Sequence, residues 1–255
     1  MVDKINITNN FSRYAHLYDQ YADIQKQAAL KLIDTVKHGN FCKILELGCG
    51  TGNYSILLRE RFKAASIKAL DISESMISVA RDKLKHKDVE LIVADAQNMS
   101  LHEDFDLVTS NACFQWFDDL GEVLREYAKL LQKQGTLLFS IFGPYTFSEL
   151  NTALTQVLKE ERITATHFYD RDSLKAILQE HFKSVKISEI NYQENFVSLK
   201  ELLEKIKYSG IRGNGLTKKI YFSRGLLDKL DRAYRDSFQE IRATYQIFLC
   251  QGEKR

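Results

Sequence analysis

The segment Ile44-Leu-Glu-Leu-Gly-Cys-Gly-Thr-Gly52 constrains this chain more than any other. A short apolar run, Lys43–Leu47, enters three glycines within five positions, and a helix-like stretch, Tyr54–Phe62, follows at once. Glycine permits the sharp turn between strand and helix, and lets the main chain approach a ligand with no Cβ in the way. The helix that opens after such a turn presents unpaired N–H groups. Strand–glycine loop–helix units belong to parallel α/β sheets, which bind ligands outside the carboxyl ends of their strands.

The chain repeats this unit. Apolar runs at Ser66–Leu70, Val89–Ala94, Phe105–Thr109 and Thr136–Phe142 alternate with helical patterns at Glu74–Lys85 and Leu120–Leu131. Ser73 stands as an N-cap ahead of acidic Glu74. Gly135 is expected to stop a helix before the fifth strand. Val185–Ile190 and Thr244–Cys250 read as two further strands, and residues 198–237 between them as helical, interrupted by the glycine-rich loop Ser209–Gly215. Residues 11–37 form an amphipathic helical region ahead of the sheet. The expected architecture is a doubly wound α/β core over residues 41–197 and 239–255. A helical lid precedes it over residues 1–40, and a helical cap over residues 198–238 is inserted between the last two strands.

Length, 255 residues, suits one large α/β domain or a smaller core with a cap. A net charge of +2 demands neither nucleic acid nor membrane as a partner. The start, MVDKINITNN, has no apolar leader, and no run approaches a membrane span, so a cytoplasmic protein is expected. Cys42, Cys49, Cys113 and Cys250 are scattered and read as reduced thiols; the six histidines show no metal-ligand spacing, so no metal is expected.

The spacing of the first loop selects among ligands. Gly48 and Gly50 fit the dinucleotide fingerprint, but its third glycine is replaced by Asn53, and the pattern is E-x-G-x-G-x-G. Glu46, two residues before the first glycine, is badly placed beside a diphosphate and well placed near an ammonium and a sulfonium. That points to S-adenosyl-L-methionine rather than a nicotinamide cofactor. Asp71, about twenty residues past the loop, can accept both ribose hydroxyls, with Ile72 and Met76 beside it. After the third strand, Asp95 can accept from the adenine amino group while the Ala96 N–H reaches the ring. Asn111, at the end of the fourth strand, faces the same crevice. No nucleophile–base pair emerges at recognisable spacing, so no catalytic residue is expected. A carboxylate acceptor is already ionised at neutral pH, and positioning can supply the acceleration.

Four flanking stretches narrow the reading: Phe11–Gln25, Ser110–Phe117, Phe142–Leu150 and Ile206–Gly210. With them the chain resembles the malonyl-acyl-carrier-protein O-methyltransferase family of biotin synthesis, on the Rossmann-like seven-stranded class I methyltransferase fold. The resemblance implies methylation of the free carboxyl of malonyl-acyl-carrier protein. Esterification hides a charge that would be costly in the apolar pockets that elongate the chain towards pimelate. It also implies that Tyr14, Tyr18 and Gln25 belong to a lid over the cofactor, although aromatic side chains at helical spacing also simply pack. Trp116 and Phe117 line an acceptor pocket or pack in the core, and Arg212 is a candidate clamp for the malonyl carboxylate. Between Lys205 and Arg224 lie six cations (Lys205, Lys207, Arg212, Lys218, Lys219, Arg224) and no acid. Such a face steers an acidic carrier protein or is a solvated surface. Open alternatives are a methyltransferase for another small carboxylate or a quinone ring carbon, and a non-catalytic cofactor-binding regulator.

Overall fold

The computed structural model of the protein describes residues 4–36, 40–99, 101, 104–159, 163–209 and 223–255. Seven strands form one sheet: β1 (Lys43–Leu47), β2 (Ser66–Asp71), β3 (Glu90–Val93), β4 (Phe105–Asn111), β5 (Leu131–Phe142), β6 (Phe182–Phe196) and β7 (Ile241–Lys254). Their order is β3-β2-β1-β4-β5-β7-β6. Strands β1 to β5 pair in parallel, whereas β7 runs antiparallel to both β5 and β6. The order turns back between β1 and β4, and a crevice opens at the carboxyl ends beside that switch point.

Alternation along the central strands builds two apolar layers, because successive side chains point to opposite faces. Ile44, Leu107 and Leu138 face one way, against α2 (Asp23–Asp34), α3 (Asn53–Arg61), α6 (Ser148–Leu158), α8 (Leu199–Tyr208) and α9 (Arg224–Phe238). Leu45, Val108 and Leu137 face the other, against α5 (Leu120–Leu130) and α7 (Arg171–His181). α4 (Glu74–Lys83) follows β2 and starts where Ser73 accepts the Met76 N–H, as its sequence predicts.

The structure corrects several expectations. The amphipathic region ahead of the sheet is two helices, α1 (Lys4–Tyr21) and α2, separated at the fully buried Ala22. Gly135 does not end α5, which stops at Leu130 and leads straight into β5. It lies instead in an irregular stretch of β5, beside Gln134 at φ 66°, where pairing with β4 shifts register. A Cβ at Gly135 would sit 2.9 Å from the Gln132 carbonyl oxygen, so glycine is needed there for a different reason. β6 and β7 run to 15 and 14 residues, beyond their apolar runs, because they pair antiparallel with each other from Phe182–Lys254 to Phe196–Ile241; β6, at the sheet edge, stays half-exposed along its length. No helix among the described residues is long and apolar enough to cross a membrane.

Candidate active site

The glycine loop is bent by its own backbone. Gly48, Gly50 and Gly52 take φ values of 70°, 54° and 81°, which L side chains adopt only with strain. The Gly48 and Cys49 N–H groups both donate to the Leu70 carbonyl, at 2.8 and 2.9 Å, so the loop is tied to the tip of β2. A Cβ on Gly48 would lie 2.3 Å from the Cys113 Sγ, whereas one on Gly50 would meet nothing within 4 Å. Gly50 therefore faces open crevice.

Three acids stand around that loop. Asp71 Oδ2 accepts the Gly50 N–H and Oδ1 the Ser73 N–H, each at 2.9 Å, so loop and α4 aim one carboxylate between them. Burial raises its pKa against these two bonds. Glu46, 1% exposed, accepts from Ser55 Oγ of α3 at 2.6 Å. Burial pushes its carboxyl up to about 8 despite that bond, and Asp71 adds to the shift. Asp95 accepts from the Gln97 N–H at 3.0 Å, Asn98 Nδ2 at 2.7 Å and Lys4 Nζ at 2.8 Å. Burial opposes ionisation there, but these partners, Lys4 foremost, hold the carboxyl below its ordinary range.

Helix α1 lies over the tips of β2 and β3 and is fastened at three points. Lys4 meets Asp95, Ser12 Oγ meets Ser73 Oγ at 2.8 Å, and Asp19 accepts from Thr51 Oγ1, Asn53 Nδ2 and Lys83 Nζ at 2.6, 2.8 and 2.6 Å. Asp19 thus sets a carboxylate of the protein's own beside the start of α3, held by side chains of Thr51, Asn53 and Lys83. A dinucleotide's pyrophosphate would compete with it. At the end of β4, Asn111 accepts from Ser140 Oγ at 2.7 Å and donates to the Gln25 carbonyl at 3.1 Å. Gln25 Nε2 donates in turn to the Ser209 carbonyl at 3.0 Å, while its buried Oε1 has no partner among the described residues.

The crevice has two lobes. The larger is lined by Asp71, Ile72, Met76, Asp95, Ala96, Trp116 and Phe117, the smaller by Gln25 and Glu46, and both by Tyr18, Gly48, Gly50 and Asn111. These are the sequence candidates with two exceptions. Tyr14 does not line the crevice; its ring meets Tyr208 at 5.1 Å, with Lys207 Nζ 5.3 Å above it, so it joins α1 to α8. Arg212 lies outside the described residues, as do Lys218 and Lys219 of the basic run. Of the remaining cations, Lys205 is paired internally with Glu194 at 2.6 Å and Asp23 at 3.5 Å. Sequence reasoning missed Lys4, Phe11 and Asp19, and also Phe168, whose ring meets Trp116 at 5.8 Å. An acid directly after Tyr18 in an amphipathic helix carries no local mark of its target, 32 residues away.

The donor fits this cradle. Gln25, whose buried Oε1 has no partner among the described residues, and the buried carboxyl of Glu46 line the smaller lobe together with Gly50, and oxygen acceptors of this kind would suit a cationic head group. The strand order, the antiparallel β7 and an acid-ringed glycine crevice at the switch point define a class I methyltransferase. A family profile described as a methyltransferase domain matches residues 45–139. Among solved structures, the YcgJ protein of Bacillus subtilis superposes with a TM-score of 0.63 at 16% identity, covering 90% of this chain and 98% of that one. Phosphoethanolamine N-methyltransferase 2 of Haemonchus contortus, in complex with S-adenosyl-L-methionine, gives 0.57 at 18% identity over 90% of this chain and 53% of that one.

The chain belongs to the malonyl-[acyl-carrier protein] O-methyltransferase family. It is 35% identical to the Bacillus anthracis member, over 96% of this chain and 95% of the relative. With the Acetivibrio thermocellus member it shares 34% identity, over 100% and 95% respectively.

Proposed function

We propose that the protein transfers a methyl group from S-adenosyl-L-methionine to the free carboxyl of malonyl-acyl-carrier protein, giving the methyl ester that primes pimeloyl-chain formation. The observation that carries this reading is the near full-length relation to the family, which takes in the α1–α2 and α8–α9 segments as well as the sheet.

The donor supplies a methyl group on a sulfonium, which passes to the attacking carboxylate oxygen while the bonding pair stays on sulfur. In this reading Glu46 and Gln25 receive the ammonium of its amino-acid head in the smaller lobe. Asp71 takes the ribose hydroxyls; Ile72 and Met76 flank the nucleoside, and Asp95 with the Ala96 N–H takes the adenine edge. Trp116 and Phe117, both under a tenth exposed, wall the acceptor side and exclude water. The acceptor arrives ionised, so no general base is assigned, and alignment supplies the acceleration. α1 and α2 serve as lid and α8 and α9 as cap.

The carrier protein is assigned to the cap, through Lys207, Arg224 and the basic residues between them, with Lys205 kept for structure. Arg212 stays the proposed clamp, and Tyr14 supports the lid from outside the crevice. The reaction is placed in the cytoplasm, where the four free cysteines stay reduced. Mass spectrometry of malonyl-carrier protein after incubation with enzyme and donor tests the reading. One methyl gained on the malonyl group is expected; an unchanged mass refutes the substrate.

A further inference from the structure

We infer that Lys4 makes closure of α1 depend on the purine of the donor: its ammonium shares the Asp95 carboxylate with the adenine amino group. The role rests on the donor placement proposed above. α1 is tied down at three points that follow one another along that placement. Asp19 is held beside the glycine loop by Thr51, Asn53 and Lys83, at the amino-acid end. Ser12 meets Ser73, whose N–H is bonded to Asp71, at the ribose. Lys4 reaches Asp95, at the adenine. From Lys4 to Asp19 the helix advances about 22 Å, so the two outer ties sit at opposite ends of α1.

Of these three ties, that of Lys4 lands on a residue assigned to the donor itself. Asp95 Oδ2 accepts from Lys4 Nζ at 2.8 Å and from Asn98 Nδ2 at 2.7 Å, which fills both of its lone pairs. Oδ1 accepts the Gln97 N–H at 3.0 Å and keeps a second lone pair for the adenine amino group. Lys4 therefore stays in place when the base arrives, and one carboxylate holds both. Lys4, Ile7, Thr8 and Phe11 recur at helical spacing and line the larger lobe, so one face of the first turns of α1 borders the nucleoside. The Lys4 and Asp95 side chains are 28% and 25% exposed, so water screens the pair only in part. Purine binding and closure of this end of α1 then strengthen each other by the same factor.

Calorimetry compares the wild type with Lys4→Met, which keeps the length of the side chain without its ammonium, and Lys4→Arg, which restores the charge. The ligands are S-adenosylhomocysteine and its analogue lacking the 6-amino group. The wild type should bind the analogue about tenfold more weakly, the worth of a hydrogen bond to a charged group. Lys4→Met should lose about three- to tenfold in S-adenosylhomocysteine affinity but less than about twofold for the analogue, whose retained binding shows that the variant is folded. Lys4→Arg should recover most of that loss. In hydrogen exchange, S-adenosylhomocysteine should slow residues 4–11 of the wild type; Lys4→Met should forfeit that slowing and keep it at the Asp19 end. Equal losses for both ligands overturn the inference, because Lys4 would then fasten α1 without reading the base. So does unchanged or tighter binding of S-adenosylhomocysteine by Lys4→Met, which would mean that the base displaces the lysine. A wild type that fails to distinguish the two ligands removes the adenine placement at Asp95 and this role together.

Discussion

Glu46 is charged in water at neutral pH, yet here its carboxyl titrates near 8 because the site buries it beside Asp71. A carboxyl whose folded pKa is raised above its ordinary 4.5 favours the folded state below that value; the contribution is lost as pH rises towards about 8. A bound ammonium reverses the preference and expels the proton. Calorimetry between pH 6 and 8 should therefore show donor binding with proton release and affinity rising with pH, both absent in Glu46→Gln. The glycines separate in the same way. Gly50→Ala costs about 1 kcal/mol of backbone strain but points its methyl into open crevice, so donor affinity should fall by about tenfold with little change in Tm. Gly48→Ala drives its methyl onto Cys113 and should destabilise the fold by about 1–3 kcal/mol, partly relieved by Cys113→Ala in a double variant.

At the scale of elements, α1 is a polar-fastened helix rather than a core helix; Ile7 and Ala15 are its buried residues. Asp19 is its strongest tie. Burial opposes ionisation of that carboxyl, but hydrogen bonds from Lys83, Thr51 and Asn53 bring its pKa below the ordinary range. A depressed carboxyl stabilises above its ordinary pKa and loses that contribution as pH falls through the folded value, so the fastening holds unchanged from pH 5 to 8. Asp19→Ala should leave global Tm nearly unchanged, because Lys83 keeps access to water, while amide exchange across α1 accelerates and donor affinity falls. Hydrogen-exchange mass spectrometry on the variant separates local release of α1 from general unfolding.

For the molecule as a whole, the question is how the α8–α9 segment is joined to the sheet and to α1. Tyr208 of α8 meets both Tyr14 and Tyr21 of α1, at 5.1 and 4.9 Å, and Ser209 is held by Gln25 of α2. Lys205 anchors the same helix to Glu194 of β6. Lys205→Ala leaves that half-buried carboxylate unpaired and should cost about 1–3 kcal/mol in urea unfolding, with little specific effect on carrier recognition. Arg224, exposed at the start of α9, behaves oppositely in the proposed docking. Arg224→Glu should lower kcat/KM for malonyl-carrier protein and weaken its salt dependence, leaving malonyl-coenzyme A and stability unaffected.

The sequence by itself determined the parallel β1–β5 part of the sheet, the presence of two further strands and the tips that carry Glu46, Asp71, Asp95 and Asn111. Those features rest on local chemistry: short apolar runs of strand length, glycines where φ is positive, and a serine capping α4. Helices α6 and α7 were less legible. α6 begins at Phe147 in the left-handed region with no side-chain cap, and α7 buries little beyond Leu174 and Leu178. What only the tertiary structure decided is which distant side chain completes each local group. Asp19 reaches the first turn of α3, Lys4 finds Asp95 across 91 residues, Tyr14 turns to Tyr208 instead of the crevice, and Lys205 is neutralised by Glu194. Such pairings depend on how a helix is rotated over the sheet, and that rotation is set by packing summed over many residues, which no short stretch of sequence records.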